Sequence, residues 1–287
     1  MNNEHVAEYW EIKDNNIIEC GLCPHYCNIK ENQSGKCGVR INRNGVLIAA
    51  SYGYVTSIAL DPIEKKPLYM FHPGKKIVSI GGYGCNLNCP FCQNYTISMK
   101  YDGTKVEYLT PEVVVEAAKQ AIPDGNIGIA YTYNEPLIGY GYIKDCSILT
   151  KKAGLMNVLV TNGYINKAPL DELLPNIDAL NIDMKGISER TYKEVGGTPN
   201  VVKNTIMTAN QVCHVEVTTL VIPDENEDEV EEIAKWLSEV DPKIPYHLSR
   251  FFPRYKYSDR KPTPAETMYR LYDIAKRYLT NVYLGNM

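Results

Sequence analysis

The chain has 287 residues, 44% of them hydrophobic, which is enough to bury a large core in one α/β domain or in a domain with a small appendage. A formal net charge of −4 argues against a nucleic-acid binder that depends on phosphate contacts, and no apolar run is long enough to span a membrane. The polar, acidic N-terminal stretch MNNEHVAEYWEIKDNN is not typical of a signal peptide, so we expect a cytoplasmic protein whose nine cysteines serve metal binding and catalysis rather than disulfides.

The first predicted unit, residues 1–45, is organised around four cysteines. They have the spacing C-x2-C-x3-C-x9-C and are Cys20, Cys23, Cys27 and Cys37. The unit is too short for a hydrophobic core of its own, so a bound metal would supply its folding energy. Structural zinc and a second iron–sulfur cluster both suit four thiolates, and cysteines without metal are the third alternative. His25 could replace one cysteine, but we expect it to be a solvated loop residue.

Residues 46–76 are predicted to connect this unit to the rest of the chain. The apolar segments 46–50 and 52–60 indicate two strands, and the prolines of segment 61–67 indicate a turn. His72 stands directly before a Pro-Gly pair, and we interpret it as a structural residue.

A predicted buried strand at 77–80 leads through a glycine-rich turn, GGYG, into three closely spaced cysteines. Cys85, Cys89 and Cys92 have C-x3-C-x2-C spacing, so their thiolates can converge on one soft metal centre. Because there is no fourth cysteine nearby, a four-iron cluster bound here would keep one iron open for catalysis. The alternative is three structural cysteines, but the strand, the glycines and the aromatic Phe91 favour the cluster.

From this strand onward, predicted strands and helices alternate through residues 77–287. The strands are 77–80, 126–133, 157–161, 178–183, 215–222 and 246–250. The helices are 110–122, 136–153, 189–194, 200–212, 225–240 and 264–279. About six strand–helix units predict a parallel sheet with right-handed crossovers. They are too few for a closed eightfold barrel and favour an open, partial TIM-like (β/α)6 barrel.

Polar residues occur where the predicted strands end, which is the edge that carries the chemistry of a parallel barrel. These strand-end segments are 131–136, 160–164, 181–185, 215–223 and 246–256. Acceptor groups at such an edge suit an ammonium group, and Lys185 would neutralise a carboxylate. The alternatives are a polar turn at 131–136, a salt bridge between Asp183 and Lys185, and a buried, satisfied His247.

The cysteine segment, Cys85-Asn-Leu-Asn-Cys89-Pro-Phe91-Cys92, resembles the signature of the radical SAM superfamily. Segments 20–40, 68–98, 131–136, 180–185 and 247–259 are together similar to radical SAM enzymes of the AmmeMemoRadiSam group, which are relatives of the pyruvate formate-lyase activating enzyme. The resemblance covers nearly the whole chain. It implies a partial barrel that uses a [4Fe–4S] cluster and S-adenosylmethionine (SAM).

The resemblance also implies roles for individual residues. Cys85, Cys89 and Cys92 would hold the cluster and act in catalysis. The residues implied in binding SAM are Phe91, Thr132, Tyr133, Asn134, Glu135, Thr161, Asn162, Asp183, Lys185, Thr218, His247 and Arg250. Asp183 could instead orient a cation, and His247 or Arg250 could meet the substrate.

The implied reaction makes the protein an oxidoreductase that works without oxygen. An electron from a flavodoxin or ferredoxin passes through the cluster, SAM splits into methionine and a 5′-deoxyadenosyl radical, and the radical abstracts hydrogen from a substrate. Two versions are open: an activase that installs a glycyl radical on a partner protein, and an enzyme that modifies a small molecule or a peptide. A non-catalytic iron–sulfur or zinc protein is the third hypothesis.

Overall fold

The computed structural model describes residues 4–99 and 105–287. Its strands are β1 (Trp10–Ile12), β2 (Ile18–Cys20), β3 (Cys27–Ile29), β4 (Arg40–Arg43), β5 (Val46–Ala49), β6 (Tyr54–Val55), β7 (Ser57–Pro62), β8 (Lys76–Gly81), β9 (Glu107–Tyr108), β10 (Asn126–Tyr131), β11 (Met156–Thr161), β12 (Ala179–Asp183), β13 (His214–Val221), β14 (Tyr246–Arg250) and β15 (Val282–Gly285). Its α-helices are α1 (Tyr95–Ser98), α2 (Pro111–Gln120), α3 (Tyr140–Lys152), α4 (Lys167–Leu173), α5 (Glu189–Val195), α6 (Pro199–Asn210), α7 (Val230–Val240) and α8 (Ala265–Ala275). No helix within these described ranges has the length and apolar character needed to cross a membrane.

An eight-stranded sheet, in the order β15-β14-β13-β12-β11-β10-β8-β7, forms the centre of the fold. Neighbouring strands from β8 to β15 pair in parallel, whereas β7 pairs antiparallel with β8. Parallel neighbours need long crossover connections, and the helices supply most of them. Because β7 and β15 are the two edges, the sheet forms an open rather than a closed barrel.

One continuous cluster of buried apolar side chains joins the sheet, the helices and the N-terminal region. Leu159 and Leu180 of the sheet belong to it, as does Ile206 of α6. Ile18 and Leu47 of the N-terminal region belong to the same cluster. The cysteine-rich segment therefore packs on the barrel and shares its core, which compensates for its small size.

The N-terminal region consists of small antiparallel sheets. Strands β1, β2 and β3 form one sheet, in which Cys20 lies directly opposite Cys27. Strands β4 and β5 form a hairpin through Asn44 and Gly45, whose φ angles are +53° and +77°. A two-residue hairpin turn needs positive φ at both positions, and Asn-Gly adopts it at little cost.

The inward face of the sheet positions the candidate site. Alternate residues of a strand face the same side. On β13, Thr218 and Leu220 line the cavity described below, so Glu216 is directed inward one level lower. On β14, Ser249 lines the cavity and His247 is the corresponding lower residue.

The predicted fold class, an α/β partial barrel with a cysteine-rich N-terminal region, is confirmed. All six predicted barrel strands are present, and the strands predicted at 46–50 and 52–60 overlap β5 and β7, the latter an antiparallel edge of the sheet. The other edge, β15, was not predicted. The strand predicted to reach residue 133 ends at Tyr131, because Tyr133 has a φ of +73° that a strand does not accommodate. The predicted helix at 136–153 begins as a 3-10 turn, Pro136–Gly139, before α3. The division into units at residues 45 and 76 stays a prediction.

Candidate active site

A cavity of about 510 Å³ lies at the carboxyl ends of the parallel strands. Most of the residues predicted to hold the cluster or SAM are on its wall. They are Cys85, Cys89, Phe91, Cys92, Thr132, Tyr133, Asn134, Glu135, Thr161, Asn162, Asp183, Lys185 and Thr218. The wall thus combines thiols, carboxyl groups, amides and an ammonium group in one space.

A tight turn after β8 carries the cysteine loop to this wall. Gly84 has a φ of +87°, and a Cβ atom there would lie 2.6 Å from the carbonyl oxygen of Cys37, so glycine is required where the turn passes the N-terminal region. Further along the loop, the Cys92 N–H donates to the Cys89 carbonyl over 3.2 Å. This local turn, together with Cys85 directly after Gly84, brings the thiols to the same cavity.

The three thiols form a donor set that suits an iron–sulfur cluster. Burial raises the pKa of Cys85 and Cys92, and that of Cys89 to about 12, while nearby Lys185 acts in the opposite direction on Cys89 and Cys92. Such thiols keep their protons until a metal displaces them. In the described part of the chain, no other cysteine lines the cavity, and no three His, Cys, Asp or Glu side chains are arranged to hold a metal ion. A four-iron cluster needs its ligands further apart than one ion does, and three sulfurs would leave one iron free.

Glu135 joins the ends of β10 and β11 beside the cysteine loop. Its buried carboxyl accepts hydrogen bonds from the Thr161 hydroxyl over 2.6 Å, the Asn162 N–H over 2.7 Å and the Leu137 N–H over 3.0 Å. Burial raises the pKa of Glu135 to about 7, although these hydrogen bonds favour the charged form. A cation placed beside Glu135 would therefore stabilise its carboxylate form.

Asp183 and Lys185 form an ion pair at the end of β12, with 2.8 Å between Lys185 Nζ and Asp183 Oδ2. The Lys185 side chain is 15% exposed, whereas that of Asp183 is 36% exposed. Burial alone would lower the pKa of Lys185, but Asp183 and the neighbouring Cys89 raise it above its ordinary value. Lys185 therefore remains an ammonium group on the wall that carries the thiols.

Tyr133 and Asn134 line the cavity but are also tied to neighbouring backbone and side chains. The Asn134 side chain accepts from the Gly82 N–H over 3.0 Å and donates to the Gly84 carbonyl over 3.2 Å. The Tyr133 hydroxyl donates to Asp61 over 2.6 Å. Asn134 thus fixes the turn that precedes the cysteines, and Tyr133 joins β10 to β7.

Two predicted SAM-binding residues do not line the cavity. His247 is 4% exposed, and its Nε2 lies 2.6 Å from Glu216 Oε2. Arg250 Nε donates to the Thr263 carbonyl over 2.7 Å. Ser249, between them, lines the cavity instead. The structure therefore shows the buried, hydrogen-bonded histidine that was the alternative interpretation of His247.

Glu216 is the centre of a hydrogen-bonded group below the cavity. It is fully buried and accepts from His247, from His214 over 2.9 Å, and from the N–H groups of Tyr69 and Met70 over 3.0 and 2.8 Å. Burial would raise the pKa of Glu216, but the hydrogen bonds from the two histidines and the backbone lower it to about 2. We call Glu216 and these four partners the lower layer.

Several cavity residues escaped prediction. They are Lys65, Lys66, Pro67, Gln93, Asn94, Ser98, Met99, Val160, Leu220, Ser249 and Asn286. Residues 93–99 follow the cysteine loop directly, so their position along the chain could have indicated them. The two lysines lie in a segment predicted as a turn, and local sequence gives no sign that the loop after β7 reaches the cavity.

The N-terminal cysteines approach the cysteine loop through Asn86. Asn86 Nδ2 donates to the Tyr164 carbonyl over 2.7 Å, and its Oδ1 accepts from Asn162 Nδ2 over 2.9 Å. Burial raises the pKa of Cys23 to about 12. His25, predicted to be a solvated loop residue, is half-buried, with its Nε2 2.7 Å from the Asn86 carbonyl oxygen. Asn86 directly follows Cys85, so the two groups of cysteines are neighbours in the fold.

The fold and the cavity define a class of protein: an open parallel barrel that places three thiols, with no fourth among the described cavity residues, at the carboxyl ends of its strands. The family model of the Radical SAM superfamily matches residues 79–237, which is more than half of the chain. The chain belongs to the Radical SAM superfamily, which implies a [4Fe–4S] cluster and SAM.

Individual relatives agree with this assignment. The uncharacterised protein MJ0808 of Methanocaldococcus jannaschii is 42% identical over 288 residues, covering 98% of this chain and 85% of the relative. The pyruvate formate-lyase 1-activating enzyme of Escherichia coli is 25% identical over 214 residues, covering 68% of this chain and 86% of that enzyme. The crystal structure of Streptococcus suis SuiB superposes with a TM-score of 0.57 at 16% identity over 72% of this chain and 48% of SuiB, a likeness of fold alone.

Proposed function

We propose that this chain is a radical SAM enzyme that cleaves SAM reductively and abstracts hydrogen from a substrate. When bound, the cluster and SAM together supply a 5′-deoxyadenosyl radical for that abstraction. The observation that carries the proposal is the set of three buried or half-buried thiols on one cavity wall, next to an ammonium–carboxylate pair.

Different residues of the chain are proposed to bind the cluster and SAM. Cys85, Cys89 and Cys92 are the proposed cluster ligands. Glu135 and Asp183 supply carboxyl groups for the ammonium of SAM, and Lys185 supplies an ammonium for its carboxylate. The other proposed contacts to SAM are Phe91, Thr132, Tyr133, Asn134, Thr161, Asn162 and Thr218.

Activation of a glycyl-radical enzyme is the version of this activity that the sequence relatives support. The matched relative from Escherichia coli is a pyruvate formate-lyase activating enzyme. In this version a partner protein is the substrate, a flavodoxin or ferredoxin donates the electron, and the reaction takes place in the cytoplasm without oxygen. Modification of a small molecule by the same radical is the second candidate, and it is favoured by the buried Lys66 on the cavity wall and its partner Asp61.

We also propose a metal at Cys20, Cys23, Cys27 and Cys37. Cys20 lies opposite Cys27, and Cys23 and Cys37 are close enough to Cys20 to influence each other's charge. Zinc and a second iron–sulfur cluster are the two forms of this proposal. Among the residues that the structure describes, no three of these thiols are arranged to hold a single ion, so the zinc form requires them to move closer together. Metal analysis of a variant that lacks the thiols of Cys85, Cys89 and Cys92 separates them, because the remaining metal is then that of the N-terminal group.

The test of the enzymatic proposal is anaerobic reconstitution with iron and sulfide, followed by reduction with dithionite in the presence of SAM. We expect 5′-deoxyadenosine and methionine in equal amounts. Protein that contains a cluster but forms no 5′-deoxyadenosine would exclude both enzymatic versions and leave a non-catalytic iron–sulfur protein.

A further inference from the structure

A buried lysine on the cavity wall has no role in the proposed binding of the cluster or SAM. Lys66 lines the cavity, its side chain is 2% exposed, and its Nζ lies 2.7 Å from Asp61 Oδ2. Within residues 4–99 and 105–287, this carboxylate oxygen is the one hydrogen-bond acceptor that Lys66 Nζ reaches. An ammonium group carries three N–H donors, so the others remain available to a ligand.

The charges around Lys66 leave an excess of positive charge. Asp61 is shared between Lys66 and Lys65, whose Nζ lies 2.8 Å from the other carboxylate oxygen. The third group on Asp61 is the neutral hydroxyl of Tyr133. One carboxylate thus faces two ammonium groups, and both lysines line the cavity. The Lys65 side chain is 61% exposed and is solvated, so Lys66 carries the buried charge of the two. Burying a charge is costly unless it is compensated, so an anion beside Lys66 would be stabilised.

The backbone is shaped to form this corner of the cavity. Tyr133 has a φ of +73°, which is costly for a residue with a side chain, and its ring lies 4.6 Å from Lys66 Nζ. A Cβ atom at Gly81 would lie 2.8 Å from Cδ2 of Tyr133, so this glycine makes room for the ring. A strained tyrosine, a glycine that accommodates it and a buried ion pair converge on one place, as they do where a fold holds a ligand.

The corner lies deeper in the barrel than the Asp183–Lys185 pair. The Pro67 carbonyl, next to Lys66, accepts from Asn181 Nδ2 over 2.8 Å. Asn181 precedes Asp183 by two residues on β12, which is about 7 Å of strand. A ligand whose anionic end reaches Lys66 could therefore extend toward the thiols without competing with SAM for Lys185.

We propose that Lys66 binds the carboxylate or phosphate group of a small substrate and thereby positions that substrate for hydrogen abstraction. The inference rests on the proposed radical SAM function and names the chemical class of its substrate. The cavity of about 510 Å³ also has to hold the cluster and SAM, so the space left beside Lys66 suits a small molecule. The reacting glycyl segment of a protein is uncharged backbone and brings no anion of its own to Lys66.

The test measures anion binding by calorimetry on the reconstituted protein, with SAM present and no reductant. The probes are inorganic phosphate and succinate, and the tighter of the two identifies the anionic group. We expect Lys66→Met to weaken binding of that probe at least about tenfold, as loss of a charged hydrogen bond does. The matched control, Lys75→Met, removes an exposed lysine of the same connecting segment and should leave binding unchanged.

A second measurement uses only the unaltered protein, in case Lys66→Met fails to fold. Reductive methylation with formaldehyde and dimethylamine–borane as the hydride donor, read by mass spectrometry, should slow at Lys66 but not at Lys75 when the anion is present. Three results would overturn the proposal: neither phosphate nor succinate binds, Lys66→Met binds the probe as tightly as the unaltered protein does, or SAM alone protects Lys66 from methylation. Since no turnover is needed, these results are independent of whether 5′-deoxyadenosine forms.

Discussion

Buried polar side chains occupy two levels inside this barrel, and the two levels differ in how completely those groups satisfy one another. At the cavity wall, Glu135, Asp183 and Lys185 stand beside three thiols and face an open space. In the lower layer, Glu216 accepts hydrogen bonds from His214 and His247 and from two backbone N–H groups. Glu216 does not reach the cavity.

The two buried glutamates show what this difference means. Burial acts to raise the pKa of both, yet it raises that of Glu135 to about 7 while the pKa of Glu216 is lowered to about 2. The partners of Glu135 are neutral donors, whereas Glu216 has two histidines. The lower layer is therefore complete without a ligand and serves stability, while the cavity wall gains from an added cation and serves binding.

Replacing a thiol of the cavity wall should have the largest effect on activity and almost none on folding. We expect Cys89→Ala to form no detectable 5′-deoxyadenosine, because two thiolates do not hold a four-iron cluster with one open iron. The measurement is product formation after anaerobic reconstitution, together with iron content. Cys213→Ala, which changes a cysteine outside both cysteine groups, is the control and should keep wild-type activity. Turnover by Cys89→Ala would exclude it as a ligand.

Removing the ammonium group of Lys185 should weaken SAM binding without abolishing the reaction. We expect Lys185→Met to raise the KM for SAM about tenfold to a hundredfold, the range of one charged hydrogen bond. Lys167→Met, which breaks a surface pair with Asp171, is the matched control and should leave KM unchanged. An unchanged KM in Lys185→Met would mean that Lys185 serves Asp183 alone, which is the structural alternative.

The sequence predicted the cavity wall better than the lower layer because the wall is built mainly from local motifs. The thiols are seven residues apart at most and follow a glycine turn, so their convergence is a property of the loop. Glu135, Asp183 and Lys185 follow strands whose ends meet at one edge in any parallel sheet. Neither prediction needed knowledge of long-range packing.

The sequence left the position of His247 open and did not indicate that Lys66 enters the cavity, and the reasons are physical. His247 lies two residues before Ser249 on β14, and both side chains face the inside of the barrel. Ser249 lines the cavity, whereas His247, one inward-facing position lower, is buried. Lys66 enters the cavity because Asp61, five residues earlier, and Tyr133, on a distant segment, hold it there. A loop that folds back into a barrel leaves no periodic signal in its sequence.

Replacing the central carboxylate of the lower layer should affect stability rather than activity. Glu216→Gln keeps the shape but removes the charge that two histidines and two backbone N–H groups bind, so we expect unfolding free energy to fall by about 3 kcal/mol. Denaturant melts measure this loss, and 5′-deoxyadenosine formation should stay at the wild-type level. Glu116→Gln, at a surface pair with Lys119, is the control and should change stability little. Loss of SAM cleavage with unchanged stability would contradict the division between the two levels.

As the pH falls, the contribution of the lower layer to the free energy of unfolding should be lost gradually. Because the folded pKa of Glu216 is lowered to about 2, its stabilising effect is complete above the ordinary glutamate pKa and is lost as the pH falls toward 2. Between pH 5 and pH 3 this linkage amounts to about 2 kcal/mol. Glu216→Gln lacks the titrating group, whereas the other carboxylates affect both proteins equally. The difference in unfolding free energy between wild type and this variant should therefore narrow by about 2 kcal/mol between pH 5 and pH 3. Parallel melts at pH 5, 4 and 3 measure the narrowing, and a constant difference would mean that the hydrogen bonds to Glu216 do not depend on its charge.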